Sequence, residues 1–123
     1  MTVMAIEHVQ IAIPEGGEAR ARDFYCGVLG LREVPKPPIL ASRGGAWFQS
    51  EGARIHVGVE AGFRPSAKAH VALLVRDLRA LVARCAERGY RVANGEPLTG
   101  YERAYVYDPF GNRIELMQRK AER

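Results

Sequence analysis

The sequence predicts an α+β fold made of two βαβββ repeats, and three observations carry that prediction. GNRIE at 111–115 echoes GARIH at 52–56, 59 positions earlier. HVQIAI, beginning at His8, is echoed by HVALLV, beginning at His70, 62 positions on. Gly30 and Gly89, again 59 positions apart, each follow an amphipathic helical segment. Similarity at a fixed period marks one supersecondary unit used twice. The change of offset falls where the first repeat has the longer strand-to-helix connection, PEGGEA against RDLR.

The elements run in the same order in each repeat. The first opens with a strand over Ile6–Ile13, where Val9, Ile11 and Ile13 alternate with His8, Gln10 and Ala12. That period puts one set on the core and the other on the opposite face. In the following helix Ala21, Phe24, Tyr25, Val28 and Leu29 recur at helical spacing, and Gly30 stands where a left-handed C-cap residue belongs. Strands over Leu31–Val34, Ala46–Gln49 and Arg54–Val59 complete the repeat, the last two joined by the turn SEG. Between the first two lies VPKPPILASRGG, 34–45, a loop that is either a lid or a passive connection. The second repeat has a strand over Ala69–Val75 and a helix capped by Asp77, with Leu78, Leu81, Val82 and Cys85 on one face. Strands over Tyr90–Ala93, Tyr101–Tyr107 and Arg113–Met117 follow, the last two joined by DPFGN at 108–112. The chain is thus expected to be a single domain over 1–123, with repeat one at 4–60, the linker EAGFRPSAK at 60–68 and repeat two at 69–118. The eight strands are expected to form one mixed, pseudo-twofold sheet curved around a cup, with the helices on its outer face.

Composition narrows the class. A chain of 123 residues with 47% hydrophobic and 26% charged residues is an ordinary globular domain with room for a core. No apolar run approaches the roughly 18 residues of a membrane span. MTVMAIEHVQ has neither a basic n-region nor an apolar h-region, so a soluble cytoplasmic protein is expected. The net charge is +4, but Lys and Arg are scattered outside the RKAER tail. No basic stripe is interleaved with aromatics, which argues against a nucleic-acid partner. Cys26 and Cys85 lack CxxC spacing and lie in helical patterns, as buried, reduced, small apolar residues do.

The chemistry gathers on the face turned away from the helices. His8, His56 and His70 are the only histidines, and strand alternation puts all three there, together with Glu115. They form two pairs under the repeat, His8 with His70 and His56 with Glu115. A pseudo-twofold axis relating the repeats would bring the four side chains together. Imidazoles and a carboxylate are the donors a divalent Zn, Ni, Mn or Fe ion takes. Each ligating histidine should give its other ring N–H to a further acceptor, Gln10 being one for His8. Arg103, Tyr105 and Tyr107 share the cup-facing side of their strand. Trp47 or Phe48 lines the wall or joins the core.

IEHVQIAI, ARDFYCGVLGL, HVALLV and YVYDPFGNRIEL together resemble the vicinal oxygen chelate superfamily: glyoxalase I, bleomycin-resistance proteins, extradiol dioxygenases and fosfomycin-resistance thiol transferases. The resemblance covers residues 4–118, and DPFGNRIEL is its most specific part. It implies that His8, His70 and Glu115 are metal ligands. His56 stands where glyoxalase I has a ligand Glu that is also the base, so His56 is either a fourth ligand or a proton carrier. Tyr105 resembles a substrate-contacting Tyr of the fosfomycin enzymes. Arg103, Tyr105, Tyr107 and Trp47 are the substrate-binding expectation, and His56 and Tyr105 the catalytic one.

The implied function is a metal-dependent, glyoxalase-like enzyme of lyase, isomerase or thiol-transferase chemistry, with one divalent ion per site. Its substrate would be a small molecule that chelates the ion through neighbouring oxygens. One alternative is an Fe(II) extradiol-type ring-cleaving dioxygenase, using a two-His-one-carboxylate set with His56 unbound. Another is a non-catalytic drug-binding protein of the bleomycin-resistance type. The resemblance also implies a homodimer, in which sites can be shared between chains.

Overall fold

In this computed structural model residues 1–121 are described; Glu122 and Arg123, the end of the basic tail, lie outside the described residues. The chain divides into two units, Met1–Phe63 and Arg64–Arg123. The boundary falls inside the segment 60–68 read as a linker.

In the first unit β1 (Val9–Ile13), α1 (Glu18–Tyr25), β2 (Arg32–Val34), α2 (Pro38–Ala41), β3 (Ala46–Gln49) and β4 (Arg54–Val59) follow in order. Their sheet runs β1-β4-β3-β2, with β1 parallel to β4 and the other pairs antiparallel. A parallel pair needs a crossover, and α1 is part of it. Its apolar stripe is buried: Ala21, Phe24 and Tyr25 are fully covered, as are Val28 and Phe48. Tyr25 stacks on Phe48 with centroids 5.7 Å apart, which puts Phe48 in the core and its neighbour Trp47 on the opposite face. Burying each such ring contributes on the order of 2–3 kcal/mol.

The second unit contains β5 (Val71–Leu74), α3 (Leu78–Glu87), β6 (Val92–Asn94), β7 (Tyr101–Tyr107) and β8 (Arg113–Arg119), with strand order β5-β8-β7-β6. Asp77 caps α3 as expected, its Oδ1 accepting the Ala80 N–H at 3.1 Å. Gly30 and Gly89 end their helical segments at φ +79° and +84°, the left-handed region expected of them.

The two units repeat in register as well as in order. Val9 pairs with Ile55 and Val71 with Ile114; Gln10 lies opposite His56 and Ala72 opposite Glu115. Across the other edge of the same strands, Trp47 faces His56 and Tyr105 faces Glu115.

Some expectations need correction. The eight strands form two four-stranded sheets, not one of eight, with β1 and β5 each at the edge of its own sheet. Both edge strands also start later than the apolar pattern suggests, at Val9 and Val71, because their partners β4 and β8 begin only one residue before Ile55 and Ile114. His8 and His70 therefore each stand one residue ahead of a strand. The short helix α2 falls inside the segment expected as a loop, and Pro38 at its start is the signal that marks it. β8 runs to Arg119 because Tyr101 of β7 is there to pair with it. No helix among the described residues is long and apolar enough to cross a membrane.

Candidate functional site

In the first unit the functional side chains form a stack of rings. His56, central on β4 and only 8% exposed, lies between two flat neighbours. The Trp47 ring is 4.2 Å away at an interplanar angle of 6°, and the His8 ring 4.0 Å away at 16°. The ladder explains this: Trp47 is the direct antiparallel partner of His56, and His8 precedes the parallel partner strand. Burial pushes the His56 pKa below its ordinary value, and the positive charge His8 can carry pushes it further the same way. His8 Nδ1 lies 3.5 Å from Glu7 Oε1. Gln10, considered as the acceptor for His8, is packed elsewhere: its amide crosses Gly58, where a Cβ would come within 2.5 Å of Gln10 Nε2. Around the stack opens a cleft of about 730 Å³, lined also by Glu7, Lys36, Arg43 and Arg54.

In the second unit the side chains form a charged network. His70 Nε2 is 2.9 Å from Glu115 Oε1, and Arg103 Nη1 is 3.2 Å from Glu115 Oε2. Glu115 is 7% exposed and has a partner at each oxygen. His70 Nδ1 lies 2.9 Å from the Lys68 carbonyl. A proton on Nδ1 goes to that carbonyl and leaves the Nε2 lone pair aimed at the carboxylate, as a ligand imidazole requires. A proton on Nε2 goes instead to Glu115, with Nδ1 accepting from Arg113 Nη2 at 3.3 Å. Arg103 Nη1 also donates to the Tyr105 hydroxyl at 3.0 Å, and the Tyr105 ring stands edge-on to His70. The Arg113 guanidinium covers the Tyr105 ring at 4.6 Å, its Nε buried without a hydrogen-bond partner. Tyr107 is covered by Arg91, whose guanidinium lies 4.2 Å from the ring centroid.

Each unit thus brings together one member of each repeat-related pair, from neighbouring strands: His8 with His56 in the first, and His70 with Glu115 in the second. Sequence reasoning placed Arg103 toward a substrate and missed its bond to Glu115. The ladder contains that signal, because Arg103 is opposite Met117 and so diagonal to Glu115, within reach of a long side chain. It also missed Arg113, and Lys36 and Arg43 in the first cleft.

The glyoxalase/bleomycin resistance protein/dioxygenase superfamily model matches residues 5–116. The chain belongs to this superfamily. Among solved structures, this superfamily member is similar to a glyoxalase family protein from Bacillus anthracis, at 41% identity and a TM-score of 0.91 over 98% of each chain. It is also similar to an antibiotic binding protein from a Streptomyces species, at 27% identity and a TM-score of 0.67 over 96% of this chain and 100% of the other. It shares its fold with a fosfomycin resistance protein from Listeria monocytogenes, at 13% identity and a TM-score of 0.76 over 97% and 96% of the two chains. No curated protein matches the chain significantly.

Divalent ions are common in this superfamily, and the donors here can be tested against one. His70 Nε2 and Glu115 Oε1 fit, because 2.9 Å is about the spacing of neighbouring ligand atoms each roughly 2.0–2.2 Å from a shared ion. His8 and His56 do not fit as a pair while stacked. An imidazole lone pair lies in the ring plane, and two nearly parallel rings face to face direct theirs side by side. One of the two can serve, and His8, whose side chain is 40% exposed, is the less confined. Among the described residues no three His, Cys, Asp and Glu side chains form a group able to hold a metal.

Proposed function

We propose that the protein is a metal-dependent, glyoxalase-like enzyme of lyase, isomerase or thiol-transfer chemistry. Its substrate is a small molecule that presents two neighbouring oxygens to the ion. The observation that carries this reading is the 2.9 Å approach of His70 Nε2 to Glu115 Oε1, with Nδ1 of the same ring set against a carbonyl. The likeness to a glyoxalase family protein at 41% identity supports it. His8, His70 and Glu115 are the proposed ligands, drawn from one chain or from two copies in a homodimer.

When bound, the ion supplies Lewis acidity and a template for the substrate oxygens. The remaining work falls to the side chains. Arg103 holds Glu115 Oε2 and so leaves Oε1 facing the ligand position. His56, kept neutral by its burial and steadied by Trp47, takes a proton from the substrate. The Tyr105 hydroxyl oxygen accepts from Arg103, which frees its own proton for a substrate oxygen. Trp47 offers a flat wall.

Metal analysis of the purified protein tests this reading, with His8→Ala and Glu115→Ala beside it. We expect close to one divalent ion per site in the parent and loss in both variants. Full metal content in the variants would overturn the ligand assignment.

Two other readings have specific support. The stack that confines His56 leaves a two-His-one-carboxylate set, the arrangement of Fe(II) oxygenases. Bound Fe(II) with O₂ uptake on a catechol would select ring cleavage. The antibiotic binding neighbour at 27% identity favours a drug-sequestering protein. Failure to take up Zn, Ni, Mn or Fe would select that one.

A further inference from the structure

The cleft of the first unit carries charge that the metal-site reading does not use. Its lining includes three cations, Lys36, Arg43 and Arg54, against one carboxylate, Glu7. Arg54 and Glu7 are hydrogen-bonded to each other and offset one another. The other two cations have no such partner. Lys36 donates to the Gly44 carbonyl, a neutral group. Arg43, exposed and adjacent to that glycine in sequence, has no carboxylate at ion-pair distance among the described residues. Glu18 is close enough to feel the Lys36 charge, but its Oε2 is engaged by the Gly45 N–H at 3.0 Å.

Both cations sit on the segment between β2 and β3, whose ends are clasped by the Lys36–Gly44 and Glu18–Gly45 bonds. Pro37 and Pro38 fix the backbone between them. Two cations with no carboxylate at ion-pair distance, Glu18 reaching Lys36 only from beyond it, held on a stiffened loop at a concave surface, are an electrostatic seat for an anion. The Trp47 and His56 rings line the same cleft and suit a flat body.

We propose that this cleft binds a small organic oxyanion, its carboxylate, phosphonate or phosphate seated on Lys36 and Arg43 and its unsaturated body against Trp47. The inference rests on the proposed function only in taking this cleft as the substrate's seat.

Trp47 is the only tryptophan in the chain, so its fluorescence reports on this cleft alone. The metal-free protein is titrated with benzoate, phenylphosphonate and benzamide, which share a body and differ in charge. Both anions should quench saturably and bind about 25-fold more tightly than the amide, the effect of two exposed ion pairs at about fivefold each. The preference should shrink with added salt. Lys36→Gln and Arg43→Gln should each weaken anion binding about fivefold, and the double variant should bind all three probes alike. The order of benzoate and phenylphosphonate names the preferred oxyanion. Matched circular dichroism and denaturation curves show that the variants fold. Equal binding of benzamide, or a double variant that keeps its preference, would overturn the proposal. Metal uptake is measured in parallel. Anion preference without uptake defeats the metal-site reading and leaves this one standing; uptake without anion preference does the reverse.

Discussion

The indole of Trp47 lies flat on the imidazole of His56, centroids 4.2 Å apart and planes 6° from parallel. The pair follows from the antiparallel register, which sets Trp47 directly opposite His56. It also makes a natural reporter, since a protonated imidazole accepts an electron from an excited indole far more readily than a neutral one. Burial is the leading cause of the lowered His56 pKa, so the folded protein resists protonating this ring. Trp47 emission should therefore fall as the pH drops, with a midpoint below 6.5, and the step should vanish in His56→Gln. The same sign holds for stability. The unfolded chain binds the proton more readily, so the His56 contribution is complete above pH 6.5 and is lost as the pH falls through the folded value. A midpoint at or above 6.5 would contradict the burial argument.

Glu115 has a partner at each oxygen and is 7% exposed, and the Arg103 side chain bonded to it from the diagonal position is 16% exposed. Removing the carboxylate leaves a poorly solvated cation without a counter-charge. Glu115→Ala should destabilise the metal-free protein by about 1–3 kcal/mol in urea denaturation, the cost of leaving the partners of one carboxylate unsatisfied. Glu115→Gln retains an acceptor for Arg103 and should lose about half as much. If alanine and glutamine cost the same, the ion pair with Arg103 contributes little and Glu115 is held by packing.

Asp108 shows that the most specific sequence signature is partly architectural. Its Oδ1 accepts the N–H groups of Phe110 and Asn112, both at 2.9 Å, and its Oδ2 accepts from Asn112 Nδ2 at 2.8 Å. The DPFGN turn is thus wound around one buried carboxylate, 4% exposed. Asp108→Ala should cost about 2–4 kcal/mol and leave the turn's N–H groups without their acceptor. Asp108→Asn should cost less but not nothing, since its amide N–H₂ would meet that of Asn112. Near-parent stability of the alanine variant would mean that water replaces the carboxylate there.

How far this was legible depends on whether local or paired information decides a feature. The repeat, the helix faces, the Asp77 cap and the left-handed Gly30 and Gly89 are local patterns, and each is found where the sequence put it. Strand alternation separated Phe48, in the core, from Trp47, in the cleft only once the neighbouring Tyr25 ring had chosen between them. The late starts of β1 and β5 depend on where their partners begin, which no property of HVQIAI or HVALLV encodes. The His56 stack and the Arg103–Glu115 bond likewise depend on register between strands. A residue list supplies neither until the ladder is known.

Glu18 and Gly45 are 27 positions apart and joined by one bond, from the Gly45 N–H to Glu18 Oε2 at 3.0 Å. That bond is the leading cause of the lowered Glu18 pKa, with Arg22 and Lys36 acting in the same direction and burial opposing. Glycine is required at position 45: φ is +83° and an added Cβ would sit 2.2 Å from the Val57 carbonyl oxygen. Gly45→Ala should therefore move β3 away from β4 or strain the loop, costing about 2–4 kcal/mol. Glu18→Gln should cost only about 1 kcal/mol at neutral pH, because its amide oxygen still accepts. The pH dependence separates the charge from the bond. A lowered carboxylate pKa stabilises the fold above the unfolded value near 4.5, and that contribution disappears as the pH falls through the folded value. Denaturation curves from pH 7 to pH 3 should converge for the parent and Glu18→Gln. A gap that stays constant down to pH 3 would assign the effect of the substitution to packing around α1 instead of to the Glu18 charge.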